Sequence, residues 1–154
     1  MTSTLPSVMI VRTIKASPAK VWAAITQPEQ MIRWWGPDAG PTLSAVADVR
    51  PGGQFAVVFQ LINGDEHNPT GIYQEVVPEE KLVFTWDLPE TSERVSLVTF
   101  LLRPFEGGTE LTLLHEHLPN EEERKSHKQG WKGLLDKLPI FLEIPNEQTD
   151  RLDI

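Results

Sequence analysis

The chain has no cysteine, no run of 18 consecutive apolar residues and few cations for its length. Without cysteine there is no disulfide, no thiolate nucleophile and no cysteine-ligated zinc or iron–sulfur centre, which fits a cytoplasmic protein. Without a long apolar run, and with no basic stretch leading into an apolar one over Met1–Ser7, neither a membrane span nor a signal peptide is expected. Lys and Arg number 14 against 22 Asp and Glu, and the net charge of -8 disfavours a phosphate backbone as partner, so no nucleic acid is expected. Gly-x-Ser-x-Gly, His-Glu-x-x-His and the glycine-rich nucleotide fingerprints are also missing. Arg50-Pro51-Gly52-Gly53 is a turn rather than a phosphate loop, because the lysine and following helix of that loop are absent.

What is present suits one folded domain over residues 1–154, with an ordered core over about 8–144: the composition is 40% hydrophobic and 23% charged, and no repeat or linker interrupts it. Val8 to Ile14 is β-branched and reads as a first strand. Ser17-Pro18 pairs a good N-cap with a proline suited to the first helical position, and Val21, Trp22 and Ile25 then give a short amphipathic helix. Pro28 starts a second, which carries Glu29 in its first turn and stops at Gly36-Pro37.

Residues 42 to 117 hold six apolar, β-branched stretches at about 42–49, 54–62, 70–77, 81–87, 95–103 and 109–117. The breaks are Arg50-Pro51-Gly52-Gly53, Asn63-Gly64-Asp65, Pro78-Glu79-Glu80, Leu88-Pro89-Glu90 and Glu106-Gly107-Gly108, too short for parallel crossovers, so the strands form an antiparallel meander. Asn120 with Glu123 forms a capping box that opens a long last helix. Its stripe is Trp131, Leu134, Leu135 and Leu138, with His127 one turn earlier on the same face. Pro139 should kink or end that helix, leaving Ile140 to Ile144 as a last turn and a polar tail from Pro145.

Strand, two short helices, meander and long helix make an α+β pattern in which one sheet face meets one helix stripe. Period two assigns Phe55, Val57 and Phe59, then Leu82, Phe84 and Trp86, then Val98, Phe100 and Leu102, then Leu111 and Leu113 to the buried face. Such a pattern describes equally a curved sheet enclosing a ligand cavity and a plainly packed core.

Six segments occur in order: Trp34-Trp35-Gly36-Pro37, Asp48-Val49-Arg50-Pro51-Gly52-Gly53, Gly71-Ile72-Tyr73-Gln74-Glu75, Leu82-Val83-Phe84-Thr85-Trp86, Gly108-Thr109 and Gly130-Trp131. Together they resemble the family named for the carboxy-terminal domain of the activator of the ninety-kilodalton heat-shock chaperone's ATPase, over about residues 8–142. That family belongs to the START-like superfamily, which includes hydrophobic-ligand binders and polyketide cyclases. The resemblance implies a helix-grip fold of about seven strands around the last helix, with a deep pocket between them. The chaperone-binding domain of the eukaryotic activator has no counterpart in the sequence, so chaperone interaction is not implied.

The expected function is non-catalytic binding of a small hydrophobic or aromatic molecule, without a cofactor. The residues expected to line its cavity are Trp34, Phe55, Phe59, Tyr73, Phe84, Trp86, Phe100, His115, Trp131 and Leu135. Of the adjacent Trp34 and Trp35, only one is easily core, because neighbours on a helix point different ways. An alternative is a cyclase-like enzyme using Glu75, Tyr73 and His115, with Glu75 on the strand face of Tyr73; the phase is ambiguous, since Ile72 and Val76 are an equally good buried set. Another is a stress-related, chaperone-associated protein that uses its outer sheet face. His115, His117 and His127 could supply three nitrogens to zinc, but His115 reads better as a polar wall residue and no metal is expected. A homodimer is compatible with all of these readings.

Overall fold

A computed structural model describes residues 6–36, 40–88 and 95–152, the side chains of 144–152 excepted. The elements are β1 (Val8–Ile14), α1 (Pro18–Thr26), α2 (Pro28–Trp34), β2 (Thr42–Ala47), β3 (Gln54–Gln60), β4 (Glu66–His67), β5 (Thr70–Val77), β6 (Lys81–Trp86), β7 (Ser96–Phe105), β8 (Gly108–Glu116) and α3 (Glu121–Leu152). Seven strands follow the order β1-β8-β7-β6-β5-β3-β2, all antiparallel, and the two-residue β4 pairs with β3 off that path. β4 was not expected, since two polar residues carry no alternation. This curled sheet, the two short helices after β1 and the carboxy-terminal helix make the helix-grip fold that the element order implied.

Local chemistry explains the boundaries. Ser17 Oγ accepts the backbone N–H of Lys20 at 3.3 Å, and Pro18 lies inside the first turn of α1. The β2–β3 hairpin turns at Gly52, whose φ of 89° favours a residue without a side chain. Gly71 has a different reason: a Cβ there would overlap the backbone carbonyl oxygen of Thr85 on β6. The capping box of α3 is half made. Asn120 Oδ1 accepts the N–H of Glu123 at 2.8 Å, but Glu123 Oε1 is buried without a hydrogen-bond partner among the described residues and lies 3.5 Å from His127 Nδ1.

The apolar sets of β3, β6, β7 and β8 are buried and face His127, Trp131, Leu134, Leu135, Leu138 and Leu142 of α3. The helix does not end at Pro139, as α3 continues through it to Leu152. A proline in a helix interior costs about 3 kcal/mol relative to alanine. Burial on both sides, by Leu138 before it and Leu142 after it, favours continuing the stripe. The strand ends move by up to two residues, β7 reaching Phe105 and β3 stopping at Gln60. Pro37, the turn at Pro89-Glu90 and the side chains from Ile144 onward lie outside the described residues.

β5 contains the decisive irregularity. Tyr73 pairs with Phe84 while Glu75 pairs with Val83, so the register shifts by one residue between them. A bulge reverses the alternation, and both Tyr73 and Val76 turn to the core while Ile72 and Glu75 lie on the exposed side. The two phases left open by the sequence therefore each hold for half of the strand, and the expectation that Glu75 shares the face of Tyr73 is corrected.

Candidate functional site: an aromatic cleft beside a buried histidine pair

Between the amino-terminal half of α3 and the β3–β4 end of the sheet lies a cleft of about 370 Å³. Its aromatic walls are Trp35, Phe59, Trp86 and Trp131, with His67 of β4 lying against Phe59 at a ring separation of 5.7 Å. Leu61, Leu88 and Leu134 add aliphatic surface, and Ser126, His127, Gln129 and Gly130 complete the helix side. No Asp, Glu, Lys or Arg is among these lining residues.

Under the cleft the rings continue as a packed layer. Trp35 stacks on Trp86 at 6.5 Å between centroids, Trp86 lies 5.1 Å from Trp131, and Phe55 lies 4.7 Å from Phe84. Each such pair adds about 0.5–1.5 kcal/mol beyond its burial. Of the ten residues expected to line a cavity, Phe59, Trp86 and Trp131 reach the cleft. Trp34, Phe55, Tyr73, Phe84, Phe100, His115 and Leu135 are packed in the layer behind it. The two indoles of Trp34-Trp35 are both buried, contrary to the expectation of one. Trp34 bonds through Nε1 to the carbonyl of Ala24 at 3.0 Å and fixes α2 on α1. Trp35 leaves the helix with ψ of 145°, which frees its ring from helical spacing and lets it reach the cleft.

Two imidazoles are wired into this layer by two indoles. Trp131 Nε1–H donates to His115 Nδ1 at 2.8 Å, and His115 Nε2 meets Ser96 Oγ at 2.6 Å. Indole only donates, so His115 Nδ1 carries the lone pair and the ring proton sits on Nε2, donating to Ser96. Trp86 Nε1–H donates to His127 Nε2 at 3.3 Å, and His127 Nδ1 therefore donates to the carbonyl of Glu123 at 2.9 Å. The two rings meet edge to face at 4.9 Å. Burial, helped by the neighbouring His127, pushes the His115 pKa well below its usual value.

This wiring decides what chemistry the candidates can do. Ser96 and His115 have the spacing of a nucleophile–base pair, but the only lone pair of the neutral ring faces Trp131, so His115 cannot take a proton from Ser96. Both ring nitrogens of His115 and of His127 are occupied, and His117 is exposed on a left-handed residue with φ of 67°, so the three imidazoles do not converge on a zinc site. Tyr73 is buried, with no partner for its hydroxyl among the described residues, and burial, then Asp48, pushes its pKa up. Glu75 bonds Lys81 at 3.2 Å on the outer side of the sheet. Glu75, Tyr73 and His115 therefore do not share a pocket.

Period two would have found Leu61 and Leu88, each two residues beyond an inward ring. Ser126 and Gly130 flank the helix stripe one turn apart, whereas His67 had no signal because β4 had none. The family model described as "Activator of Hsp90 ATPase homolog 1-like protein" matches residues 15–143. The chain belongs to this family. Among solved structures, a protein of Chromobacterium violaceum is similar with a TM-score of 0.81 at 24% identity, covering 89% of this chain and 96% of its own. A protein of Silicibacter pomeroyi assigned to the same family gives 0.80 at 25% identity, with 91% and 99% covered. One from Mycobacterium smegmatis gives 0.79 at 19%, with 90% and 91% covered. No curated protein matches the chain. Among the described residues no helix is long and apolar enough to cross a membrane.

Proposed function

We propose that this protein binds a small hydrophobic or aromatic molecule in the cleft between the sheet and α3, without transforming it. The observation that carries the reading is the cleft itself: about 370 Å³, walled among the described residues by four aromatic rings and three leucines, with a few polar groups and no Asp, Glu, Lys or Arg. Ligand pockets have volumes of about 300–1,000 Å³ and this kind of lining. The family membership agrees, and the wiring of His115 and the outward position of Glu75 remove support from the cyclase-like alternative. Native mass spectrometry of the full chain against a panel of neutral aromatics and lipids tests the reading. A one-to-one adduct that Phe59→Ala weakens at least tenfold is the expected result. No adduct with any member, and no change in tryptophan emission from Trp86 and Trp131, would defeat it.

A further inference from the structure

We propose that a second cleft, between the α1–α2 junction and the strands β2 and β5, binds a small alkylated ammonium compound through the indole of Trp22 and the carboxylate of Glu29. It shares no lining residue with the aromatic cleft and does not depend on what that cleft holds.

The second cleft has a volume of about 470 Å³. Half-buried Trp22, Pro28, Val49 and Val76 line it together with exposed Pro78 and Glu29. The β5 bulge is what brings Val76 here. Without the register shift after Tyr73, alternation would point Val76 outward; with it, Val76 packs on the inner side. Apolar side chains from three parts of the chain therefore meet at the surface and stay only partly covered.

Trp22 differs from the other four tryptophans. Trp34, Trp35, Trp86 and Trp131 pack ring on ring, whereas no other ring and no cation lies against the Trp22 indole among the described residues. An accessible indole attracts a cation more strongly than any other aromatic side chain. Glu29 supplies the opposite charge. It makes no ion pair or hydrogen bond among the described residues, and no Lys or Arg is among the lining residues. Arg50, next to Val49, is held by Asp48 at 2.9 Å, and Lys81, three residues after Pro78, is held by Glu75 at 3.2 Å. Lys20, two residues before Trp22, is exposed and outside the lining. The end of α1 and the start of α2 meet at Gln27, so their dipoles offset and the side chains set the charge of the cleft.

These features define the chemistry of the ligand. A metal ion needs several oxygen or nitrogen ligands, and the described residues contain no group of three His, Asp or Glu that could hold one. An ammonium that carries alkyl groups presents both charge and apolar surface, which suits Glu29 on one side and the indole, valines and prolines on the other. A phosphate attached to it would meet Glu29 with no lining cation to receive it, which favours a free ammonium compound over a phospholipid headgroup.

Choline and neohexyl alcohol have nearly the same shape and differ in charge, because carbon replaces the ammonium nitrogen. Each is titrated into the isotope-labelled full chain, and the indole N–H signal of Trp22 and the backbone amide signals of Val49 and Val76 are followed by NMR. Choline should shift these signals and bind about tenfold more tightly than the alcohol. Glu29→Gln, a change at an exposed and unpaired side chain, should weaken choline about threefold and leave the alcohol unaffected. Phosphocholine should bind more weakly than choline. Equal affinity of choline and the alcohol overturns the cation assignment. No shift of the three signals, or shifts confined to Trp86 and Trp131, overturns the site. Choline affinity unchanged by Glu29→Gln overturns the role of that carboxylate, and equal or tighter binding of phosphocholine overturns the choice of a free ammonium compound. None of these outcomes needs a variant of Trp22, and each is read independently of binding in the aromatic cleft.

Discussion

Acidification from pH 8 to pH 5 tests the buried imidazole of His115. Folded, this ring is 0% exposed, its Nδ1 faces the Trp131 N–H, and its pKa lies well below 6.5. Unfolded, it regains an ordinary pKa near 6.5. Below that pH the unfolded chain binds a proton that the folded chain refuses, so stability is full above pH 6.5 and falls as the pH drops toward the folded pKa. One proton corresponds to about 1.4 kcal/mol per pH unit, so the loss from this residue at pH 5 has a ceiling of about 2 kcal/mol. Urea unfolding followed by tryptophan emission at a series of pH values measures it. His115→Gln should be less stable at pH 8 but should lose less than the wild type between pH 8 and 5, by up to about 2 kcal/mol, the other titrating groups cancelling in the difference. Trp131→Phe removes the N–H that blocks protonation of Nδ1 and should flatten the wild-type slope in part. Identical pH slopes for wild type and His115→Gln would refute the assignment of a buried, neutral ring.

Three further outcomes follow from the backbone and the outer sheet face. Pro139→Ala restores a backbone donor inside α3 and should raise stability by about 1–3 kcal/mol in the same urea assay; a decrease would argue that the helix needs the proline. Gly71→Ala drives a Cβ into the carbonyl oxygen of Thr85 and should cost about 3 kcal/mol or more, visible as loss of soluble, cooperatively unfolding protein. Glu75→Gln removes only a half-exposed pair with Lys81, so stability should change by no more than about 1 kcal/mol and the affinity for any cleft ligand should not change. A large effect of this substitution on binding would return Glu75 to the site.

The sequence by itself determined the order of elements, the antiparallel connectivity and the buried faces of β3, β6, β7 and β8, because turn chemistry and strict alternation are local and each repeats over several residues. It also determined the caps at Ser17 and Asn120 and the stripe on α3 for the same reason. Only the tertiary structure decided the phase of β5, where a one-residue bulge lets Tyr73 and Val76 both face inward and sends Glu75 to Lys81. It likewise decided that α3 passes through Pro139, since burial of Leu138 and Leu142 is a gain that local propensity does not contain. The site follows the same division. Aromatic residue types and their inward faces were legible, but the division between cleft wall and packed layer was not. That division depends on where α3 crosses the sheet, on the extended backbone of Trp35, and on which indole finds an acceptor across the fold. Such pairings join residues as far apart in sequence as Trp86 and His127, and only closing the sheet around the helix brings them within hydrogen-bonding distance.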